Sequence, residues 1–441
     1  MPARSRRLAF IAALSIPFLF AQTFAQVCPG SAGCLDASFN GNGKQLIVMA
    51  GNGSTSQRDA VLQSDGKVVS LVDNSTTRAT MIRLNTDGSF DTSFAGDGIV
   101  ETDWHHPNGF AYGLAIQLVQ GIDGVEERLV IAGSWRITVG RKTYTYLRVE
   151  RYLPNGTLDT TFANNGVALH NKPYALAVAV QPGDQKILTV GDLEGMTRFN
   201  ADGTVDTTFG GNGDGTTGAG QSGWSIKALA DGKILVGGSY SSGSSMLMAA
   251  MKLNANGSVD TSFGTSGRTT INFHGSGSAS RAFRIDLDPF GNIILGGFSR
   301  PKNSDNNDFA AARLTPSGQL DTTFNGNGKV LHDWAGLSDS SRSVAALSDG
   351  SVVITGSAQV ATDVRDFGAV RFNYYGQLDM TFGSGGRTSA DFGGNSEYSH
   401  SVRIWNDPSC SCEKIVMAGS SNTGAAFARF WANAAPQSPA P

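Results

Sequence analysis

Three observations predict an all-β fold, a seven-bladed β-propeller of four-stranded antiparallel blades. One motif, Leu-Asp-Thr-Thr-Phe or a close variant, recurs with its aspartate at positions 36, 91, 159, 206, 260, 321 and 379. The stretches between copies hold four apolar segments of strand length, joined by Asp-Gly or Asn-Gly turns in which glycine accepts positive φ. No segment shows sustained helical periodicity. Finally, one copy is divided between the ends: Leu35-Asp36-Ala37-Ser38-Phe39 is a second half without its first, and Phe427-Ala428-Arg429-Phe430-Trp431 a first half without its second. Repeat units bury their apolar faces only against neighbours, so a split repeat predicts a ring closed by pairing the N-terminal strand with the C-terminal blade.

Taken in order, residues 1–25 read as a signal peptide. Arg4, Arg6 and Arg7 precede an apolar core from Leu8 to Phe20, and Thr23-Phe24-Ala25 offers a cleavage site. That core is shorter than the roughly 20 residues a membrane span requires, so no stable membrane anchor is expected. Residues 26–431 read as one propeller, with the outer strand of blade 7 at 35–39, blade 1 at about 44–94 and blade 7 at about 387–431. In the fourth unit the strands are expected at Trp224–Leu229, Lys233–Gly238, Leu247–Leu253 and Ser258–Phe263. Residues 432–441 are a Pro/Ala tail.

A basic residue precedes each motif aspartate by eight positions: Arg83/Asp91, Arg151/Asp159, Arg198/Asp206, Lys252/Asp260, Arg313/Asp321 and Arg371/Asp379. Across a short hairpin these positions face each other and suit a charge-assisted pair. Arg429 would complete the set with Asp36. Recurrence in every blade with a matched base makes the pairs structural. The motif, preceded by Arg-Leu-x-x-x-Gly, resembles the delta-60 repeat of exported bacterial β-propellers, largely of unknown function. That resemblance spans about residues 35 to 431 and implies the fold and export, to periplasm or medium. It implies no catalytic residues.

The 56 glycines among 441 residues fall at turns without a three-residue period, which excludes collagen. A net charge of −3 without a basic run leaves no footprint for nucleic acid. Four cysteines in an exported chain predict disulfides. Cys28 and Cys34 precede the outer strand, while Cys410 and Cys412 sit in a turn of the same composite blade. A staple between the two ends is one connectivity; a local Cys28–Cys34 loop plus a Cys410–Cys412 pair is the other.

Connections vary in length on one face of the ring, which is where function resides in such folds. An aromatic followed eight residues on by a polar or aromatic side chain recurs there, as in Trp104/Tyr112 and Phe273/Arg281. The same register yields Arg342 and His400, and counting back from turn glycines adds Arg58 and Trp224. Arg58, Tyr112, Trp224, Arg281, Arg342 and His400 are the candidate ligand-binding residues at the channel mouth, suited to an anionic or sugar-like ligand. No catalytic residue, cofactor or metal is expected: His105, His106, His274 and His332 form no ligand pair, and no phosphate loop or nucleophile elbow occurs. The sequence thus reads as a non-enzymatic, exported binding or scaffold protein for a glycan, envelope polymer or protein partner. The alternative is a polysaccharide hydrolase or lyase drawing on the repeated Asp103, Asp333 and Asp391.

Overall fold

The computed structural model describes residues 30–49, 55–74, 78–105, 109–121, 124–171, 174–191, 195–218 and 221–434. The signal sequence, Cys28, His106 and most of the tail lie outside them, as do the side chains of Asp103 and His105. Strands are the only regular elements among the described residues, and they form four-stranded antiparallel sheets. Sheet I comprises Thr55–Leu62, Val68–Asn74, Arg78–Leu84 and Ile99–His105. Sheet II holds Gly109–Gln120, Val125–Val139, Lys142–Tyr152 and Val167–His170, and sheet III Ala177–Val180, Ile187–Val190, Met196–Phe199 and Thr216–Thr217. Sheet IV runs through Ser222–Ala228, Ile234–Ser242, Ser245–Leu253 and Arg268–Ile271, and sheet V through Ala279–Leu287, Ile293–Arg300, Asp308–Leu314 and Lys329–His332. One parallel pair, Met246 with Ala279, links these two. Sheet VI comprises Ser340–Ala346, Val352–Ala361, Val364–Phe372 and Arg387–Ala390. Sheet VII takes Tyr398–Asp407, Cys412–Ser421 and Gly424–Trp431, with Lys44–Val48 added at its outer edge.

The first strand of each sheet packs against the first strand of the next, and Thr55–Leu62 of sheet I also packs against Tyr398–Asp407 of sheet VII. The core follows the same order, because strands buried on both faces send alternate side chains to opposite neighbours. Ile293 and Leu295 join a cluster shared with sheet IV, whereas Ile294 between them joins one shared with sheet VI. Phe39, Val72, Ile82, Trp405, Val416 and Phe427 form the cluster between sheets I and VII.

Two expected boundaries are corrected. Ser258–Phe263 is not a strand, and neither is Leu35–Phe39; each makes one isolated bridge, Leu253 with Val259 and Leu35 with Phe430. The fourth strand starts after the motif, at Arg268 in sheet IV and at Lys44 in sheet VII. The reason is the motif aspartate itself. Asp91 Oδ1 accepts from Ser93 N at 3.0 Å and Ser93 Oγ at 2.7 Å, and Asp36 repeats this with Ser38. A side chain that captures the backbone two residues on turns the chain instead of extending it. By the same shift, Arg387–Ala390 belongs to sheet VI and not to the last blade, and sheet I ends at His105.

Aspartate Oδ2 meets the basic residue: Arg83 at 2.7 Å from Asp91, Arg151 at 2.6 Å from Asp159, and Arg198, Arg313, Arg371 and Arg429 each at 2.7 Å from Asp206, Asp321, Asp379 and Asp36. Sheet IV differs. Asp260 takes Lys233 at 2.8 Å, while Lys252 reaches the Pro316 carbonyl at 3.4 Å. Each arginine also spans to the following sheet, with Arg83 Nη1 donating to Pro154 O at 2.7 Å and Arg313 Nη1 to Tyr374 O at 2.6 Å. Arg429 donates to Thr86 O, from sheet VII to sheet I.

The disulfides are local. Cys410 is bonded to Cys412, and Cys34 is disulfide-bonded as well, so no staple joins the two groups of thiols. The two residues of the Cys410–Cys412 turn hold their Cα atoms 5.2 Å apart, within disulfide reach.

Candidate functional site: the bulged mouth of the inner strands

The first strand of sheets I, II, IV, V, VI and VII carries a β-bulge at one equivalent position, where the pairing register skips a residue. The skipped residues are Arg58, Tyr112, Trp224, Phe283, Arg342 and His400. An unpaired bulge residue is re-aimed out of the ladder, and here all six are half-buried. Facing the residue before the bulge stands glycine in five of the six: Gly133, Gly238, Gly297, Gly356 and Gly419. A Cβ at any of them would overlap a carbonyl oxygen of the bulged strand.

Sequence counting selected Arg281 in the fifth unit, but the register assigns the bulge to Phe283. Arg281 still belongs to the same group of side chains. Its guanidinium lies 4.5 Å from the Trp224 ring centroid and 5.5 Å from that of Phe283, and Nη2 contacts Met246 Sδ at 3.5 Å. Arg342 also stacks on Phe283, at 4.4 Å, and Trp224 meets Phe283 edge-on at 5.3 Å. Arg58 stacks over Tyr112 at 5.2 Å and pairs with Asp73 at 3.0 Å. Arg342 has no carboxylate within salt-bridge distance among the described residues, and its Nε is buried without a partner. Burial lowers its pKa, with Arg281 adding to the effect. His400 is pushed down to about 3, by burial first and then by Arg342 and Arg58, so its imidazole is neutral at physiological pH. A recess of about 400 Å³ opens beside Arg342, Tyr398 and His400.

Deeper along the strands, Asp59 accepts from Arg403 at 3.0 Å and Arg284 at 3.2 Å, joining sheets I, V and VII. These three residues line a second cavity of about 540 Å³, together with Lys227, Asp286, Asp288 and Glu413.

The sequence reading did not group Asp366, Asp391 and Glu397, whose carboxylate oxygens lie within 4.8 Å of one another beside the mouth. Burial and the neighbouring acids raise Asp366 to about 6 and Glu397 to about 7. Asp308, Asp333 and Asp339 hold the equivalent places one sheet earlier, with Asp339 raised to about 6. His274 and His332 lie near this face on sheets IV and V, and His332 packs edge-on against Trp334.

Sheets, bulges and repeated ion pairs together define a β-propeller repeat protein, a fold of the binding and scaffold type. Six segments, 63–94, 128–162, 184–209, 229–263, 291–324 and 347–382, match the family model described as a domain of unknown function (DUF5122) beta-propeller. No curated protein matches the chain in sequence. Among solved structures it is similar to Sqt1 from Chaetomium thermophilum, at 12% identity and a TM-score of 0.47, over 88% of this chain and 99% of that one. Sqt1 bound to the N-terminus of the ribosomal protein L10 gives 12% identity and 0.45, over 88% and 100%.

Proposed function

We propose that the chain is an exported, seven-bladed propeller of the delta-60 type, closed by Lys44–Val48, that binds an acidic glycan at its mouth without catalysing a reaction. Closure is supported by the cyclic order of inner-strand contacts and by Arg429 reaching sheet I. Export rests on the signal sequence at 1–25, and binding on one observation above others. Arg342 is a half-buried guanidinium without a carboxylate partner among the described residues, flanked by Arg281 and Arg58 and stacked on Phe283. Three guanidiniums gathered around half-buried aromatic rings match a carboxylate- or sulfate-bearing sugar, through forked hydrogen bonds and ring stacking.

A second reading, a hydrolase or lyase, would draw on Asp366 and Glu397, buried carboxyls near the mouth. Their near-equivalents Asp308 and Asp339 one sheet earlier favour a repeated structural feature over an acid–base pair.

Thermal-shift measurement of residues 26–441 tests the reading, with acidic and neutral polysaccharides and an Arg281→Ala/Arg342→Ala variant. A ligand at a hundred times its Kd stabilises by about 2.7 kcal/mol. Stabilisation of the wild type by acidic polymers alone, lost in the variant, is expected. No shift with any glycan overturns the glycan ligand and leaves a protein partner; product release from a polymer would establish the enzyme instead.

A further inference from the structure

The connection from sheet VI to sheet VII, residues 391–397, is folded back onto the strand Val364–Phe372. Arg365 N donates to Asn395 O and Glu397 N to Arg365 O, both at 3.1 Å. The pairing of Phe367 with Ala390 already sets Asp391 beside Asp366, and the fold-back brings Glu397 to both. Glu397 is held from behind, accepting from Phe392 N and Gly394 N at 2.9 and 3.0 Å, and Asp391 accepts from Gly393 N at 2.6 Å. Asp366 is different. It is only 5% exposed, and its carboxylate has no hydrogen bond or salt bridge among the described residues. The nearest ammonium, Lys44, is engaged with the Asp391 main-chain oxygen at 2.6 Å and the Phe392 ring, and it forms no salt bridge with any of the three carboxylates.

A buried carboxylate without a donor, aimed at two others, is costly unless something positive sits among them. We propose that Asp366, Asp391 and Glu397 bind a hard divalent cation of the calcium class. The donors are all oxygen, and a separation within 4.8 Å is what oxygens sharing one ion at roughly 2.3–2.6 Å would show. Backbone N–H groups fix these ligands while leaving Glu397 Oε2 and Asp391 Oδ2 with lone pairs to spare. The other close cluster among the described residues, Asp407 with Cys410 and Cys412, fits no cation, because its sulfurs are bonded to each other and its carboxylate pairs with Lys414 at 2.8 Å. In sheet V the equivalent acids form no such close group, and Asp308, at the place of Asp366, is only half-buried. The bound ion ties sheet VI to the segment that leads into Tyr398 and His400, and so sets one wall of the mouth.

Calorimetric titration of the chelator-stripped full chain with calcium and, separately, magnesium tests the assignment at near-neutral pH. Expected is one calcium per chain and a rise in Tm, with affinity lowered roughly tenfold or more in Asp366→Asn. That variant should melt in chelator at or above the wild-type temperature, because it removes a buried charge, which separates lost binding from lost folding. Exposed Asp363→Asn should bind as wild type does. Absence of calcium binding at millimolar concentration, or unchanged binding by Asp366→Asn, overturns the site. Equal affinity for magnesium overturns the calcium assignment.

Discussion

At the scale of single residues, the motif aspartate carries two duties that need different oxygens. Oδ1 turns the chain after the third strand, and Oδ2 anchors a cation that reaches the next sheet. Where that cation is arginine, it is buried and stacked on the motif phenylalanine, as Arg313 is on Phe324 at 4.7 Å. Removing one partner of such a pair leaves an uncompensated buried charge, so Arg313→Ala should cost about 3–5 kcal/mol. Lys252→Ala should cost less than about 1 kcal/mol, because Asp260 keeps Lys233 and loses nothing. Denaturant titration of the two variants measures the contrast, and equal losses would refute this division of roles. His400 supplies a pH signature. Its folded pKa, about 3, lies below the ordinary 6.5. The unfolded chain therefore binds the extra proton between those values, and the contribution of His400 is complete above about 6.5 and lost as pH falls towards 3. His400→Gln should flatten the slope of Tm against pH in that window relative to wild type. Asp366 and Glu397 act in the opposite sense, their raised values withdrawing stability as pH rises from about 4 to about 7. The comparison of the two proteins at each pH removes this common background.

At the scale of strands, the bulge is the device that takes one side chain of the first strand out of its ladder in six of the sheets. Its position was legible in two spacings: the count back from a turn glycine found Arg58 and Trp224, and the offset from a preceding aromatic found Tyr112, Arg342 and His400 but led to Arg281 where Phe283 stands. The stronger signal lay in the partner strand, in the glycine facing each bulge. Gly297 is such a residue, and a Cβ there would collide with the Arg281 carbonyl. Backbone cannot yield as a flexible side chain can, so Gly297→Ala should cost roughly 1–3 kcal/mol. Gly183→Ala, in a turn with open space around it and no positive φ, should be neutral or stabilising by up to about 1 kcal/mol. Thermal unfolding of both variants checks the pair, and a harmless Gly297→Ala would mean that the bulge tolerates a side chain opposite. The acid triad was not legible at this scale. Asp366 lies 25 residues from Asp391, which only the ladder of Phe367 on Ala390 sets beside it, and Glu397 joins them only through the fold-back of 391–397.

At the scale of the molecule, the propeller repeat was readable because every unit states the same local instruction, while the strand boundaries were displaced by one element. The displacement has a consequence at the ends. Two of the features that hold the N-terminal segment to sheet VII are the ladder of Lys44–Val48 on Gly424–Trp431, and Asp36, 1% exposed, with Arg429 at 2.7 Å and Lys414 at 2.9 Å. No disulfide joins Cys34 to Cys410 or Cys412, so this attachment is noncovalent across that boundary. A chain beginning at Thr55 would lose both features. It would leave Arg429 and Lys414 buried without Asp36, and it would expose the unpaired edge of Gly424–Trp431, whose sequence is apolar and β-prone. Such a chain should be destabilised by more than the roughly 3–5 kcal/mol of one broken buried pair, and it should associate through the exposed edge. Unfolding followed together with light scattering measures both effects. A truncated chain that stays monomeric and melts with the full one would show that the inner-strand contacts between sheets I and VII hold the ends by themselves.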